Sequence, residues 1–204
     1  MKKRGFLVTI ASPSGGGKST ICNAILKINQ QFRYSISWTT RPIRGNEIDG
    51  QHYCFTDTDT FKHKIAEGYF IEHAIVHGNH YGTSKEFIDE CINKEQIVLL
   101  DIDVQGVELI KQHGYRIVTI FILPPSIETL KQRLTDRATD TPEIIRQRLE
   151  NAIKEIEYIK NYDYLVINDD LDEAIRTVNS ILIAEQNRVG NYIEHISEFY
   201  STKI

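Results

Sequence analysis

Cysteine is scarce. Cys22, Cys54 and Cys91 are odd in number and form no C-x-x-C pair, which argues against a disulfide framework or a cysteine-built zinc site and suits a reducing compartment. Long apolar runs are missing too, and no window approaches the roughly 18 apolar residues of a membrane span. The opening "MKKRGFLVTIA" has the basic head of a secretory signal, but its apolar run is too short. We expect no export, a cytoplasmic location and no membrane partner. Basic residues are not in excess: 24 Lys and Arg face 28 Asp and Glu, for a net charge of −4. Bulk charge thus gives no reason to expect a nucleic-acid partner, and any anion site must be made locally. There is no internal repeat and no low-complexity segment. What remains is 204 residues with 41% hydrophobic and 25% charged side chains, an ordinary globular composition with room for one domain or one domain with an inserted lid.

Against that plain background, "SPSGGGKST" stands out behind the apolar run "FLVTIA". A glycine-serine turn could simply end a strand, but that leaves Lys18 unexplained. The phosphate-loop pattern G-x-x-x-x-G-K-[ST] is met at Gly17, Lys18 and Ser19, with Ser12 standing where the first glycine usually sits. Ser14, Gly15, Gly16 and Gly17 would let backbone N–H groups converge on an anion. A helix starting near Lys18 would aim its positive end at the same point. Lys18 would then lie between the β- and γ-phosphates, Ser19 would hold Mg2+, and Thr20 would complete an ATP-binding turn.

Periodicity supplies the frame. Strands are expected at Phe6–Ala11, "YSISWTT", "HYCF", "YFIEHAIV", "QIVLLD", "RIVTIFIL" and "YLVI", with helices near 57–67, 84–93, 104–113, 126–137, 142–160 and 170–187. Strands that alternate with helices and read as continuous apolar runs indicate an α/β fold, a mostly parallel sheet with helices on both faces. Ligands of such folds sit beyond the carboxyl ends of the strands, where the loop, Asp101 and the residues after "YLVI" would gather.

A phosphate loop alone says only nucleotide, so the second substrate has to be read elsewhere. Arg41 and Arg44 lie three apart in a polar turn, with Tyr53 close behind, and Glu72 precedes the bend "GNHYGTS". Singly, these would be solvated arginines, a surface carboxylate and ordinary aromatics. Together with "SISWTTRPIRGNEIDGQHY", "FIEHAIVHGNHYGTS", "LLDIDVQG", "ILPPSIETLKQRL" and "VINDDLDEA", in this order, they make almost the whole chain resemble guanylate kinase.

That resemblance implies a P-loop NTPase-type core at 1–34, 84–123 and 161–204, an inserted mixed α/β GMP-binding segment at 35–83, and a helical lid with flanking helices at 124–160. It implies that Arg41, Arg44, Tyr53 and Tyr81 grip the GMP phosphate while Ser37, Glu72, Thr83 and Asp103 read its base. Guanine's N1–H and N2–H₂ donors suit carboxylates, whereas adenine offers an acceptor at N1 and would leave buried groups unpaired. Arg133, Arg137 and Arg148 match cationic residues around the transferring phosphoryl group, and Asn168 matches a position near the donor adenine. The implied reaction passes the γ-phosphate of MgATP to GMP or dGMP by in-line attack, with no general base, because the attacking phosphate oxygen is already ionised. Closure of the acceptor segment and lid is expected. Asp101 either caps the next helix or lies near metal-bound waters, and Trp38 is read as packing. Two rivals are a non-catalytic guanylate-kinase-like binding module and a kinase with a ribose-bisphosphate acceptor; a metal site at His73, His77 and His80 is a third. A homo-oligomer is left open, as is the job of the tail after Gln186.

Overall fold

A computed structural model of the protein describes residues 4–76, 78–102, 104–136, 142–192, 196–197 and 200–201. They divide into two compact units, one built from the described residues up to Val8 and from Gln31–Ile117, the other from Thr9–Gln30 and the described residues from Val118 onward.

In the first unit, β2 (Phe32–Tyr34) runs parallel to β7 (Ile97–Leu100), Phe32 opposite Ile97 and Tyr34 opposite Leu99, and β7 neighbours β1 (Phe6–Ala11), whose first half belongs here. All four residues of β7 are buried, as a strand covered on both faces requires. A second sheet has the order β4-β3-β6-β5, from Trp38–Thr39 (β3), Cys54–Phe55 (β4), Phe70–Val76 (β5) and Asn79–Ser84 (β6). Strands β5 and β6 form an antiparallel hairpin whose bend contains Gly78 at φ +79°. Two helices end cleanly at their starts: Asp57 accepts from the Thr60 N–H before α2 (Thr58–Ala66), and Ser84 accepts from the Phe87 N–H before α3 (Lys85–Asn93). Helix α4 spans Val104–Gln112. Leu7, Ile71, Ile88, Cys91, Val98, Leu100, Val107, Ile110 and Ile117 form the core, each large side chain contributing about 1.5–3 kcal/mol by leaving water.

The second unit carries the rest of β1, then α1 (Lys18–Ile28), which packs on α7 (Leu171–Gln186) with Asn29 Nδ2 donating to Asn179 Oδ1 at 3.0 Å. Here β1 neighbours β8 (Ile117–Leu123, in this unit from Val118), and β8 pairs in parallel with β9 (Tyr164–Ile167), Ile122 opposite Val166. Helices α5 (Ile127–Thr135) and α6 (Pro142–Ile156) pack through Leu130, Leu134 and Ala152. Ser126 caps α5 through Thr129, and Asp170 caps α7 through Glu173. The protein thus has an α/β fold, a mostly parallel sheet with helices and a second, mixed sheet.

Several expected boundaries move. "YSISWTT" is not one strand: Tyr34 ends β2 in one sheet, and only Trp38–Thr39 form β3 in the other. Helix α6 stops at Ile156, where turns lead to a 3₁₀ turn at Ile159–Asn161, instead of running to Lys160. Helix α5 stops at Thr135, with the Asp136 N–H bonded back to the Gln132 carbonyl. Arg137, Asp103 and His77 lie outside the described residues, as does part of the tail.

Candidate active site

The residues singled out by sequence fall into two sets, those expected at the donor in the second unit and those expected at the acceptor in the first. In the donor half the chain leaves β1 at Ala11 and turns so that the Gly16 N–H donates to the Pro13 carbonyl at 2.8 Å. Gly15 and Gly17 have φ of +93° and +99°, a region that side chains with a Cβ rarely enter. Ser12 is accommodated by the glycine four residues on: a Cβ at position 16 would come within 2.8 Å of the Ser12 Cβ. Helix α1 then begins at Lys18 with no side-chain cap and no acidic residue in its first turn. A helix start left in that state presents its N–H groups and positive dipole to an external anion. Lys18 is half-buried beside it, and Ser14, Ser19 and Thr20 are exposed.

Asn168 closes the loop from behind. Only 4% exposed, it donates from Nδ2 to the Gly16 carbonyl at 2.9 Å, and its own backbone carbonyl accepts from Arg133 Nη2 at 3.0 Å. The sequence reading puts Asn168 near the donor base; in the structure its side chain also holds the glycine-rich loop, and its backbone holds Arg133 of α5. Its Oδ1 is buried with no partner among the described residues. Arg148 of α6 is half-buried.

The acceptor half is laid out on β3, β5 and β6. Glu72 of β5 stands opposite Thr83 of β6, and the Thr83 hydroxyl donates to Glu72 Oε1 at 2.5 Å. Both are buried, at 7% and 1% exposure. Space for the carboxylate comes from Gly106 on α4, where a Cβ would lie 3.3 Å from Glu72 Oε2. Ser37, also buried, precedes β3, and its carbonyl accepts from the Cys54 N–H.

Arg41 is only 6% exposed, yet fully engaged in charge and ring contacts. Its guanidinium lies 5.1 Å from the Tyr53 ring centre and 5.7 Å from that of Phe55. Tyr53 and Tyr81 meet edge to face, with centres 6.0 Å apart. Arg41, Tyr53 and Tyr81 are thus brought together, while Arg44 stays exposed on the turn. Glu47, which the sequence reading passed over, binds Arg41 through both oxygens at 2.8 and 3.0 Å and also accepts from the Arg44 N–H at 2.8 Å. The hydrogen bonds from Arg41, then that from the Arg44 backbone, hold its carboxyl down to about 2. The available signal was an acid six residues after a candidate phosphate ligand in the same turn.

Trp38 packs edge to face on Tyr69 and Phe70, with the Lys64 ammonium 4.6 Å from its ring centre. Asp101 is exposed after β7, and His80 stacks on Phe61. Among the described residues no three His, Cys, Asp or Glu side chains are grouped to hold a metal unaided. The exposed Ser19 hydroxyl is a hard oxygen donor of the kind Mg2+ takes alongside substrate phosphates.

Comparison with known proteins gives one answer. The family model described as "Guanylate kinase" matches residues 4–185. A guanylate kinase of Clostridium acetobutylicum is 44% identical over 204 residues, covering 100% of this chain and 97% of that one. That of Syntrophotalea carbinolica is 47% identical over 190 residues, covering 93% and 90%. The crystal structure of guanylate kinase from Anaplasma phagocytophilum superposes with a TM-score of 0.75 at 32% identity, covering 94% of this chain and 91% of that one.

Proposed function

The chain belongs to the guanylate kinase family and is a nucleoside monophosphate kinase that phosphorylates GMP with ATP, and from this we propose how its residues divide the work. The carrying observation is the buried Glu72 carboxylate bonded to Thr83, because a carboxylate kept dry at that point suits the N1–H and N2–H₂ edge of guanine. Adenine would set an acceptor against it, at about 1–3 kcal/mol for each group left unpaired. Ser37 and Asp103 extend this edge, and Arg41, Arg44, Tyr53 and Tyr81 hold the acceptor phosphate.

On the donor side Ser14–Thr20 wrap the triphosphate, and Asn168 keeps the loop in shape. Lys18, Arg133, Arg137 and Arg148 balance charge on the phosphoryl group as it leaves ADP and bonds to the GMP phosphate oxygen. Ser19, with Asp101 acting through water, would hold Mg2+, and the ion would supply charge neutralisation to the phosphates. The same assignment divides the chain into a core at 1–34, 84–123 and 161–204, an acceptor segment at 35–83 and a lid at 124–160. dGMP is a second acceptor, and the enzyme works in the cytoplasm. No helix among the described residues is long and apolar enough to cross a membrane.

The test is a coupled assay that offers GMP, dGMP, AMP, UMP and ribose bisphosphate in turn with MgATP. Turnover of GMP and dGMP alone is expected. Equal turnover of AMP would remove Glu72 from base reading, and peptide binding without turnover would return the non-catalytic module.

A further inference from the structure

Glu47 has no part in the roles assigned above, yet it organises the turn that carries two of them. The guanidinium of Arg41 has five N–H donors. Both on Nη1 are committed, one to the Pro42 carbonyl at 2.8 Å and one to Glu47 Oε2 at 3.0 Å, and one on Nη2 goes to Glu47 Oε1 at 2.8 Å. Glu47 thus occupies the end of the fork. The second Nη2–H and the Nε–H lie side by side on the remaining edge, next to the Tyr81 side chain, and donors on an edge of this shape suit a phosphate. Through its bond to the Arg44 N–H, the same carboxylate ties the backbone of the second arginine to the first.

We propose that Glu47 is a positioning residue for the acceptor phosphate, fixing Arg41 so that its side edge, and not its end, meets the ligand. This rests on the reading of Arg41 as a phosphate ligand. Two effects compete. The carboxylate subtracts negative charge from the attraction that a phosphate would feel, which alone would weaken binding. It also keeps a guanidinium at 6% exposure compensated, and without that partner a buried cation pays a heavy desolvation cost and leaves for water. Glu47 keeps 22% of its side chain exposed, so water screens its repulsion of an incoming anion. The compensation at Arg41 acts through direct hydrogen bonds on a guanidinium almost out of water, where screening is weaker, and it wins.

The proposal fixes a sign that can be measured by calorimetry with GMP and with guanosine, which lacks the phosphate. Glu47→Ala should lose about tenfold to a hundredfold in GMP affinity, the worth of a hydrogen bond to a charged group, with guanosine affinity unchanged. In turnover, KM for GMP should rise by the same factor, with kcat at saturation within about threefold of the parent. Glu47→Gln, which keeps the shape and one acceptor oxygen, should fall between the two and guards against a variant that misfolds. Unchanged or tighter GMP binding by both variants would overturn the proposal, making the carboxylate a bystander or a competitor. Equal loss of guanosine would also overturn it, since that reports a collapsed turn. Arg41→Ala separates the two readings: if it leaves the parent's preference for GMP over guanosine intact, the assignment of Arg41 fails, whatever Glu47 does.

Discussion

Gly17→Ala places one methyl group against one amide. At φ +99° an L-residue is in left-handed territory, and the new Cβ would come within 2.4 Å of Asn168 Nδ2. The backbone cannot yield without moving the start of α1, so Asn168 must swing and give up its 2.9 Å bond to the Gly16 carbonyl. Left-handed strain of about 1–2 kcal/mol and a buried broken bond of about 1–3 kcal/mol put the loss of stability at about 2–5 kcal/mol. That is a large share of the roughly 5–15 kcal/mol that a domain has. Urea unfolding of Gly17→Ala, Asn168→Ala and the double variant tests the cause. Because both single changes break the same bond, the double variant should be scarcely worse than Gly17→Ala, with a coupling of about 1–3 kcal/mol. If the penalties add to within about 0.5 kcal/mol, Asn168 is not the obstacle and the account of the loop is wrong.

Gly106→Ala puts a methyl 3.2 Å from the Ile102 Cβ and 3.3 Å from Glu72 Oε2, in a helix that ordinarily prefers alanine by about 1 kcal/mol. Stability should hold while KM for GMP rises about tenfold, as one misplaced charged hydrogen bond predicts; an unchanged KM refutes the link. Glu72→Gln should narrow the preference for GMP over AMP by at least about tenfold with ATP binding untouched, read from kcat/KM for both acceptors. The pair of Glu47 with Arg41 predicts acid sensitivity. A carboxylate ordinarily near 4.5 and held down to about 2 stabilises the folded state fully above that ordinary value and loses its contribution as pH falls through about 2. Glu47→Gln should flatten the stability curve over that interval; a curve identical to the parent's would deny the pair any energetic weight.

The α/β plan was legible because buried parallel strands advertise themselves: "IVLL" became a strand with four buried residues, and "KSTICNAILKI" became α1. Helix ends were less legible. Nothing in the apolar period of α6 announces its stop at Ile156, since the turns that end it are set by local backbone bonding. In the site, Arg41, Tyr53 and Tyr81 could be grouped by motif and do converge. Two features escaped for the same reason. Glu47 and the loop-holding side chain of Asn168 act on other residues, and Asn168 lies 152 positions from the carbonyl it holds. One-dimensional spacing carries no trace of such a pairing.

Four other helices, α2, α3, α5 and α7, begin with a side chain bonded to a first-turn N–H, at Asp57, Ser84, Ser126 and Asp170. Helix α1 does not. An engineer hunting for thermostability would see a gap to fill, because caps and first-turn acids are standard stabilising changes. Filling it would install a resident tenant on ground that the proposed nucleotide site needs, so heat resistance and turnover would trade against each other at this one helix start.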